Sequence, residues 1–566
     1  MKVTDYIIEF LIDKNVTDIF GYPGGAICHL IDSASKYKDR IKVHTNYHEQ
    51  ASSFSACAYA QESLKLGVAF STSGPGATNL ATGIANAYYD SIPVMFITGQ
   101  VDTYSLKGKM HIRQNGFQET DIVSMFKPIT KYSIRVDNPE DIVYEIHKAY
   151  DIAISGNPGP VLIDLPADVQ RVDIDISKCK EYMIDYNSDI NYDVYAKVII
   201  DKLSNSFRPC LIVGNGVKQS GCKNVITELV NKLGIPTVFS MPAVDTLIYN
   251  NEYNYGFIGA NGHRYANFVV GKSDLIITIG TRMDLKQVGS NRLDFAKGTK
   301  IIRIDIDEGN FENSIHDEVC IKADIKLLLP KLLKHCRFRI NKKWIDVCQM
   351  IKNELSDYDN EEYHYLIKQF CKFIPEHTGI VADVGQSAVW VAQQLQIKNG
   401  QTFHISSGHG AMGYSLPAAI GTYYGGKDFV CSFNGDGGVQ MNIQELQFIK
   451  REKLPIWVII INNQCLGMIR GFQEANFDKN YAQTIEGKGY LSPNFKKIAE
   501  AYDMEFVQII SKEDLQKLNV LEQKPTIIEI VVKRDTLLKP NFGKNGFIQD
   551  QRPYLDRNIY NKLMEL

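Results

Sequence analysis

The sequence predicts an α/β protein made of three doubly wound parallel-sheet domains. Two observations lead to this class. Short apolar runs alternate with amphipathic or small-residue helical segments along most of the chain, the pattern of parallel strands covered by helices. The apolar runs stop at glycine- or amide-rich turns, as strands do where an open α/β sheet meets its ligand. The length agrees: 566 residues hold three or four domains of about 150 residues each. We expect domains at 1–172, 191–336 and 358–540, with a tail at 541–566.

The elements follow in order. Val3, Ile7, Phe10 and Leu11 form one face of an opening helix, in a segment without the pattern of a signal peptide. A strand at 41–45 leads into Asn46-Tyr47-His48-Glu49-Gln50 and an Ala/Ser-rich helix at 51–62, small enough to pack closely on a neighbour. A strand at 67–71 opens into Thr72-Ser73-Gly74-Pro75-Gly76 and a second small-residue helix at 77–88. Strands at 94–98 and 159–166 complete the unit, and 171–190 reads as a linker. The middle unit has strands at 209–213, 274–279 and 300–306, the first ending in Gly214-Asn215-Gly216. A charged, helix-rich stretch at 337–370 leads to the third unit, whose plan echoes the first.

Bulk properties exclude several functions. A net charge of -3 gives no field for nucleic acid or an anionic membrane. No apolar run reaches the roughly 20 residues of a membrane span. Eleven scattered cysteines without a C-x-x-C pair favour a reduced, cytoplasmic protein lacking disulfides and structural zinc.

The chemistry concentrates between Phe429 and Asn463. An apolar run ends in Gly435-Asp436-Gly437-Gly438. A segment with Met441, Leu446 and Ile449 reads as a helix with one apolar face, and a second apolar run stops at Asn462-Asn463. In a right-handed parallel crossover, Asp436 and Asn463 end neighbouring strands. Glycines let backbone N–H groups approach phosphate, and a helix N-terminus favours its charge. The Asp436 carboxylate and the Asn463 amide oxygen suit Mg2+. The unit resembles the thiamine-diphosphate signature of GDG followed by NN. That cofactor needs a carboxylic acid at its aminopyrimidine N1′, and Glu49 is the candidate, just past a strand end among residues small enough to bury it.

The likeness extends over nearly all of the chain. YHEQ, TSGPGATN, ITGQ, FQETD, SGNPGPVLIDLPADVQ and NNQCLGMI, together with the GDG…NN unit, resemble the acetohydroxyacid (acetolactate) synthase large subunit. The resemblance implies pyrimidine-binding, central and diphosphate-binding domains. It also implies a homodimer or homotetramer with active sites between subunits, and a regulatory small subunit. Glu49 would then serve a cofactor held by the partner protomer. Met412, beside Gly410, would prop the cofactor's bent form, and Gln386, Ser387, Gly437 and Gly438 would lie at the diphosphate. Cys465 would offer its carbonyl to Mg2+, Met468 would border the cofactor, and Gln118 would face the reaction centre. The implied reaction decarboxylates pyruvate and joins the two-carbon unit to a second carbonyl, forming 2-acetolactate on the route to branched-chain amino acids. Transfer to a nucleotide-linked keto sugar, or an FAD-dependent pyruvate oxidation, are the alternatives.

Departures from the family pattern cluster where its substrate channel lies. Phe472 stands in place of a Trp and Ala167 in place of a Lys. The 101–116 segment is long and basic, with Lys107, Lys109, His111 and Arg113, and the tail from Leu537 differs. FAD is left open by Gly214-Asn215-Gly216, Arg282 and Arg303 to Asp307, which partly match. Asn157 replaces an Arg, and Gly259-Ala260-Asn261-Gly262 replaces GMHG.

Overall fold

The computed structural model describes residues 1–183, 190–543 and 546–566. Part of the expected linker, 184–189, and two residues of the tail, 544–545, lie outside the described residues.

Among the described residues the strands form three six-stranded sheets, and every strand pair in them is parallel. The first contains β1 (Asp18–Gly21), β2 (Lys42–Thr45), β3 (Gly67–Ser71), β4 (Val94–Gln100), β5 (Tyr132–Arg135) and β6 (Val161–Pro166), ordered β2-β1-β3-β4-β6-β5. The second contains β7 (Pro209–Val213), β8 (Thr237–Phe239), β9 (Asn254–Phe257), β10 (Leu275–Ile279), β11 (Lys300–Asp305) and β12 (Glu318–Lys322), ordered β12-β11-β10-β7-β8-β9. The third contains β13 (Gly379–Ala382), β14 (Thr402–Ile405), β15 (Val430–Gly435), β16 (Ile456–Asn462), β17 (Glu505–Ile509) and β18 (Thr526–Val531), ordered β14-β13-β15-β16-β18-β17. The first and third sheets share one connectivity, and the middle sheet has another.

The central strands are buried on both faces, which is why they read as unbroken apolar runs. The small residues of the helix Glu49–Ser63 let it lie against two partners. A Cβ on Gly83 would fall 1.7 Å from Ser53 Oγ, and one on Gly421 would fall 1.9 Å from the Ser55 carbonyl. Gly421 belongs to the helix Ser415–Tyr424 of the third unit, so the first and third units share a core that includes Phe54, Tyr414 and Phe448.

Two local expectations need correction. The helix expected at 77–88 is two pieces, Pro75–Thr78 and Ala81–Tyr89, because the chain tightens where Leu80 N–H bonds to the Ala77 carbonyl. The segment after the glycine turn is not one amphipathic helix either. A 3-10 turn, Val439–Asn442, precedes the helix Glu445–Arg451, so Leu446 and Ile449 are buried while Met441 points outward, 55% exposed. No described helix is long and apolar enough to cross a membrane.

Candidate active site

In the third sheet the chain leaves β13 for the outer strand β14, then returns to β15. The crevice between the carboxyl ends of β13 and β15 is therefore a topological switch point, where ligands of such sheets bind. A cavity of about 500 Å³ opens there. It is lined by Gln386 and Ser387 beyond β13, by Gly410 and Met412, by Asp436 to Gly438 beyond β15, and by Asn463, Cys465 and Met468 beyond β16. Register places Gly435 beside Ile461, which brings Asp436 and Asn463 to adjacent strand ends.

Burial shapes the electrostatics. Asp436 is 2% exposed and accepts the Tyr490 hydroxyl at 2.9 Å; burial pushes its carboxyl up to about 6. Asn463 Nδ2 donates to Gln386 Oε1 at 3.1 Å, and its Oδ1 accepts Cys465 N–H at 3.4 Å. The glycines let the turn pack closely on the side chains around it. A Cβ on Gly437 would lie 2.7 Å from Leu466 Cδ2, and one on Gly438 about 3.1 Å from the Asp383 carboxyl group. Met412 overhangs this turn, its Cε 3.7 Å from the Gly437 Cβ position.

Supporting residues that sequence reasoning missed lie one layer beneath. Asp383 is wholly buried and accepts N–H groups from Val384 at 2.7 Å and Gly413 at 3.0 Å, fixing the turn after Met412. Burial pushes its carboxyl up to about 7. Asn442 Nδ2 donates to the Gly413 carbonyl at 2.9 Å and to Gln50 Oε1 at 3.1 Å. An acid one residue past a strand end was a signal that could have found Asp383. Nothing local marks Tyr490 or Asn442.

Glu49 and Gln118 both lie against the Gly74-Pro75-Gly76 turn of the first unit. Glu49 is buried, begins its helix, and accepts Asn79 Nδ2 at 2.9 Å. Gln118 holds a positive φ of 67° and packs on Gly74; its Oε1 accepts Ser73 Oγ at 3.4 Å. Neither residue lines the cavity of Asp436 and Asn463 in the same chain.

A further cleft, about 360 Å³, lies at the switch point between β7 and β10 of the middle sheet. Asn157, Asn215, Gly216, Gly280, Arg282 and Asp305 are among its walls. Asn157 is tied to Asp307 at 2.9 Å. Pro242, Asp284, Gln287 and Ser407 line both this cleft and the larger cavity, so the two adjoin.

Comparison with known proteins assigns the class first. The chain matches the thiamine pyrophosphate enzyme N-terminal TPP binding domain over residues 1–125, the central domain over 196–332 and the C-terminal TPP binding domain over 383–530. Three relatives narrow it. The acetolactate synthase large subunit of Lactococcus lactis subsp. lactis is 34% identical over 545 residues, 94% of this chain and 93% of the relative. The probable acetolactate synthase large subunit of Methanocaldococcus jannaschii is 34% identical, covering 94% and 92%. The acetolactate synthase isozyme 2 large subunit of Escherichia coli K12 is 32% identical, covering 91% and 92%. This chain belongs to the acetolactate synthase large-subunit family.

Proposed function

We propose that the protein condenses two molecules of pyruvate, with loss of CO2, to 2-acetolactate, using thiamine diphosphate and Mg2+. The observation carrying this reading is the meeting of Asp436, Asn463 and a side-chain-free glycine turn at the switch point of the third sheet. When bound, thiamine diphosphate supplies a carbon nucleophile and an electron sink for decarboxylating a 2-oxo acid.

The residues present fit these groups. Asp436, the Asn463 amide oxygen and the Cys465 carbonyl are hard oxygen donors of the kind Mg2+ takes together with phosphate oxygens. Among the described residues no three His, Cys, Asp or Glu side chains cluster, so the ion depends on the diphosphate to complete its shell. Gly437 and Gly438 bring backbone to the diphosphate, with Gln386 and Ser387 beside it. Gly410 and Met468 border the cofactor, and Met412 supports it from the glycine-turn side.

Glu49 holds a proton at the aminopyrimidine N1′, and Gln118 stands on the same side of the reaction. Because Glu49 lines no part of the Asp436 cavity in its own chain, we assign it to the cofactor of a second copy, with active sites between protomers. The domain limits 1–172, 191–336 and 358–540 follow this division of labour. The phrase "large subunit" in the relatives' names supports a regulatory small subunit as a further partner. The free cysteines and the lack of any membrane-crossing helix among the described residues favour the cytoplasm.

The middle cleft fits FAD: a glycine turn follows β7, and an acid, Asp305, ends β11, as in other dinucleotide sites. Asn157, which stands where the family carries an arginine, lines this cleft and bonds to Asp307.

Incubating purified protein with pyruvate, thiamine diphosphate and Mg2+ and identifying the product by mass spectrometry tests the function. 2-Acetolactate is the expected product, and CO2 release without a new carbon–carbon bond would overturn it. A flavin absorbance band in the purified protein tests the FAD assignment.

A further inference from the structure

The three units meet at the end of one helix of the first unit. The helix Ala81–Tyr89 stops at Asp90, and its last carbonyls are taken by the middle unit. Arg282 Nη1 donates to the Tyr89 carbonyl at 2.8 Å, and Gln219 Nε2 donates to the Asp90 carbonyl at 2.6 Å. The Asp90 side chain turns instead to the third unit. Its Oδ2 accepts Ser407 N–H at 2.9 Å and its Oδ1 accepts Gly408 N–H at 2.7 Å.

The approach around these bonds is close. A Cβ on Gly408 would fall 2.8 Å from the Tyr89 carbonyl oxygen and 2.9 Å from Tyr89 Cβ, so glycine is what lets the two segments meet. The His409 ring lies nearly parallel to Tyr89, centroids 5.7 Å apart. Ser407, Gly410 and Met412 all line the larger cavity. Beyond Met412, Gly413 N–H bonds to Asp383 at 3.0 Å. The segment that presents Met412 is thus held at its far end by its own unit and at its near end by Asp90.

Helix stability gives no reason for an acid at this position. The C-terminus of a helix carries partial negative charge and favours a cation. Desolvation pushes the Asp90 carboxyl up to about 6, against the two N–H bonds and the Arg282 charge, so it is ionised at neutral pH. The loop does give a reason, because hydrogen bonds to an ionised acceptor are the strong kind.

We propose that Asp90 is a positioning residue for the reaction assigned above, a reading on which this inference rests: its carboxylate clamps the Ser407–Gly408 backbone and so holds Met412 against the cofactor. The first unit then shapes the cofactor pocket of its own chain through Asp90, apart from what Glu49 does for the partner's.

Asp90→Ala and Asp90→Asn in the full-length protein test this. Hydrogen exchange of the 406–414 segment, followed by mass spectrometry without cofactor or turnover, should be faster in Asp90→Ala. The dissociation constant of thiamine diphosphate in Mg2+, from fluorescence quenching, should rise about tenfold or more, the loss expected for a charged hydrogen bond. At saturating cofactor kcat should fall by about 10²-fold, the cost of a misplacement near ~1 Å, with little change in the KM for pyruvate. Asp90→Asn keeps one acceptor and should lie between wild type and Asp90→Ala in all three; it carries the test alone if the alanine variant does not fold. Exchange equal to wild type would overturn the clamp. Lower thermal stability with unchanged cofactor affinity and kcat would make Asp90 a structural tie and overturn the role. Recovery of kcat on adding excess FAD would assign Asp90 to the middle cleft, which it also lines, and overturn it too. A wild-type protein that fails to bind thiamine diphosphate would overturn the functional reading and this role with it, and faster exchange in Asp90→Ala would then show that the reading failed rather than the clamp.

Discussion

Glu445 joins the third unit to the loop that carries Glu49, and replacing it with glutamine should change how stability depends on pH. Its Oε2 accepts Asn46 Nδ2 at 2.9 Å and its Oε1 accepts Tyr47 N–H at 2.8 Å, both on the segment that runs into Glu49. The side chain is fully buried, and burial pushes its carboxyl up from 4.5 to about 7 against those bonds. The folded pKa is thus raised above the unfolded one. The group's contribution is fully present below pH 4.5 and is lost as pH rises through about 7. That rise corresponds to ~3 kcal/mol at most. Glutamine stays neutral at every pH, but it turns an N–H group toward one of the two donors, a mismatch of about 1–3 kcal/mol. Glu445→Gln is therefore expected to be less stable than wild type at pH 5 and close to it at pH 8. Urea midpoints of both proteins at pH 5, 6, 7 and 8, taken as differences, cancel the titrations they share. A gap of constant size across the four values would refute the reasoning.

Three further outcomes follow from the site. Glu49→Gln should lower kcat for acetolactate formation by about 10²–10⁴, while titration of thiamine diphosphate by fluorescence quenching changes little. Asn442→Ala strips donors from the Gly413 carbonyl and from Gln50 Oε1, at about 1–3 kcal/mol; the same titration should show weaker cofactor binding because the turn after Met412 loosens. Gly438→Ala has a backbone φ of -65° that alanine accepts, yet its Cβ would press on the pinned Asp383 carboxyl. A cost of roughly 1–3 kcal/mol is expected, read as lower thermal stability together with weaker cofactor binding.

Much of the fold was legible because parallel strands buried on both faces leave unbroken apolar runs, and those at 67–71 and 209–213 match β3 and β7 residue for residue. Turn chemistry marked the crevice for the same local reason: Gly435 to Gly438 and Asn462-Asn463 announce strand ends without help from distant residues. Misreadings arose where local pattern underdetermines winding. Leu446 and Ile449 obey a helical spacing, but the 3-10 turn before them rotates Met441 away from their face. The supporting layer was illegible because its partners are remote in sequence. Tyr490 reaches Asp436 across 54 positions, and Glu445 reaches Asn46 across 399.

The two halves of the proposed site illustrate that limit most sharply. The first and third sheets have the same strand order, so Glu49 and Asp436 occupy related frames, yet in one chain they face different spaces. Asn442 connects them from behind: it bonds to Gln50, next to Glu49, and to Gly413, next to Met412. In the proposed arrangement, Met412 serves the protomer's own cofactor and Glu49 serves its partner's. A single buried amide then fixes one residue of each active site. The segment that carries Glu49 is held within its own chain, by a bond that joins Asn442 to Gln50 across 392 positions. Spacing along the sequence has no way to express a contact of that kind.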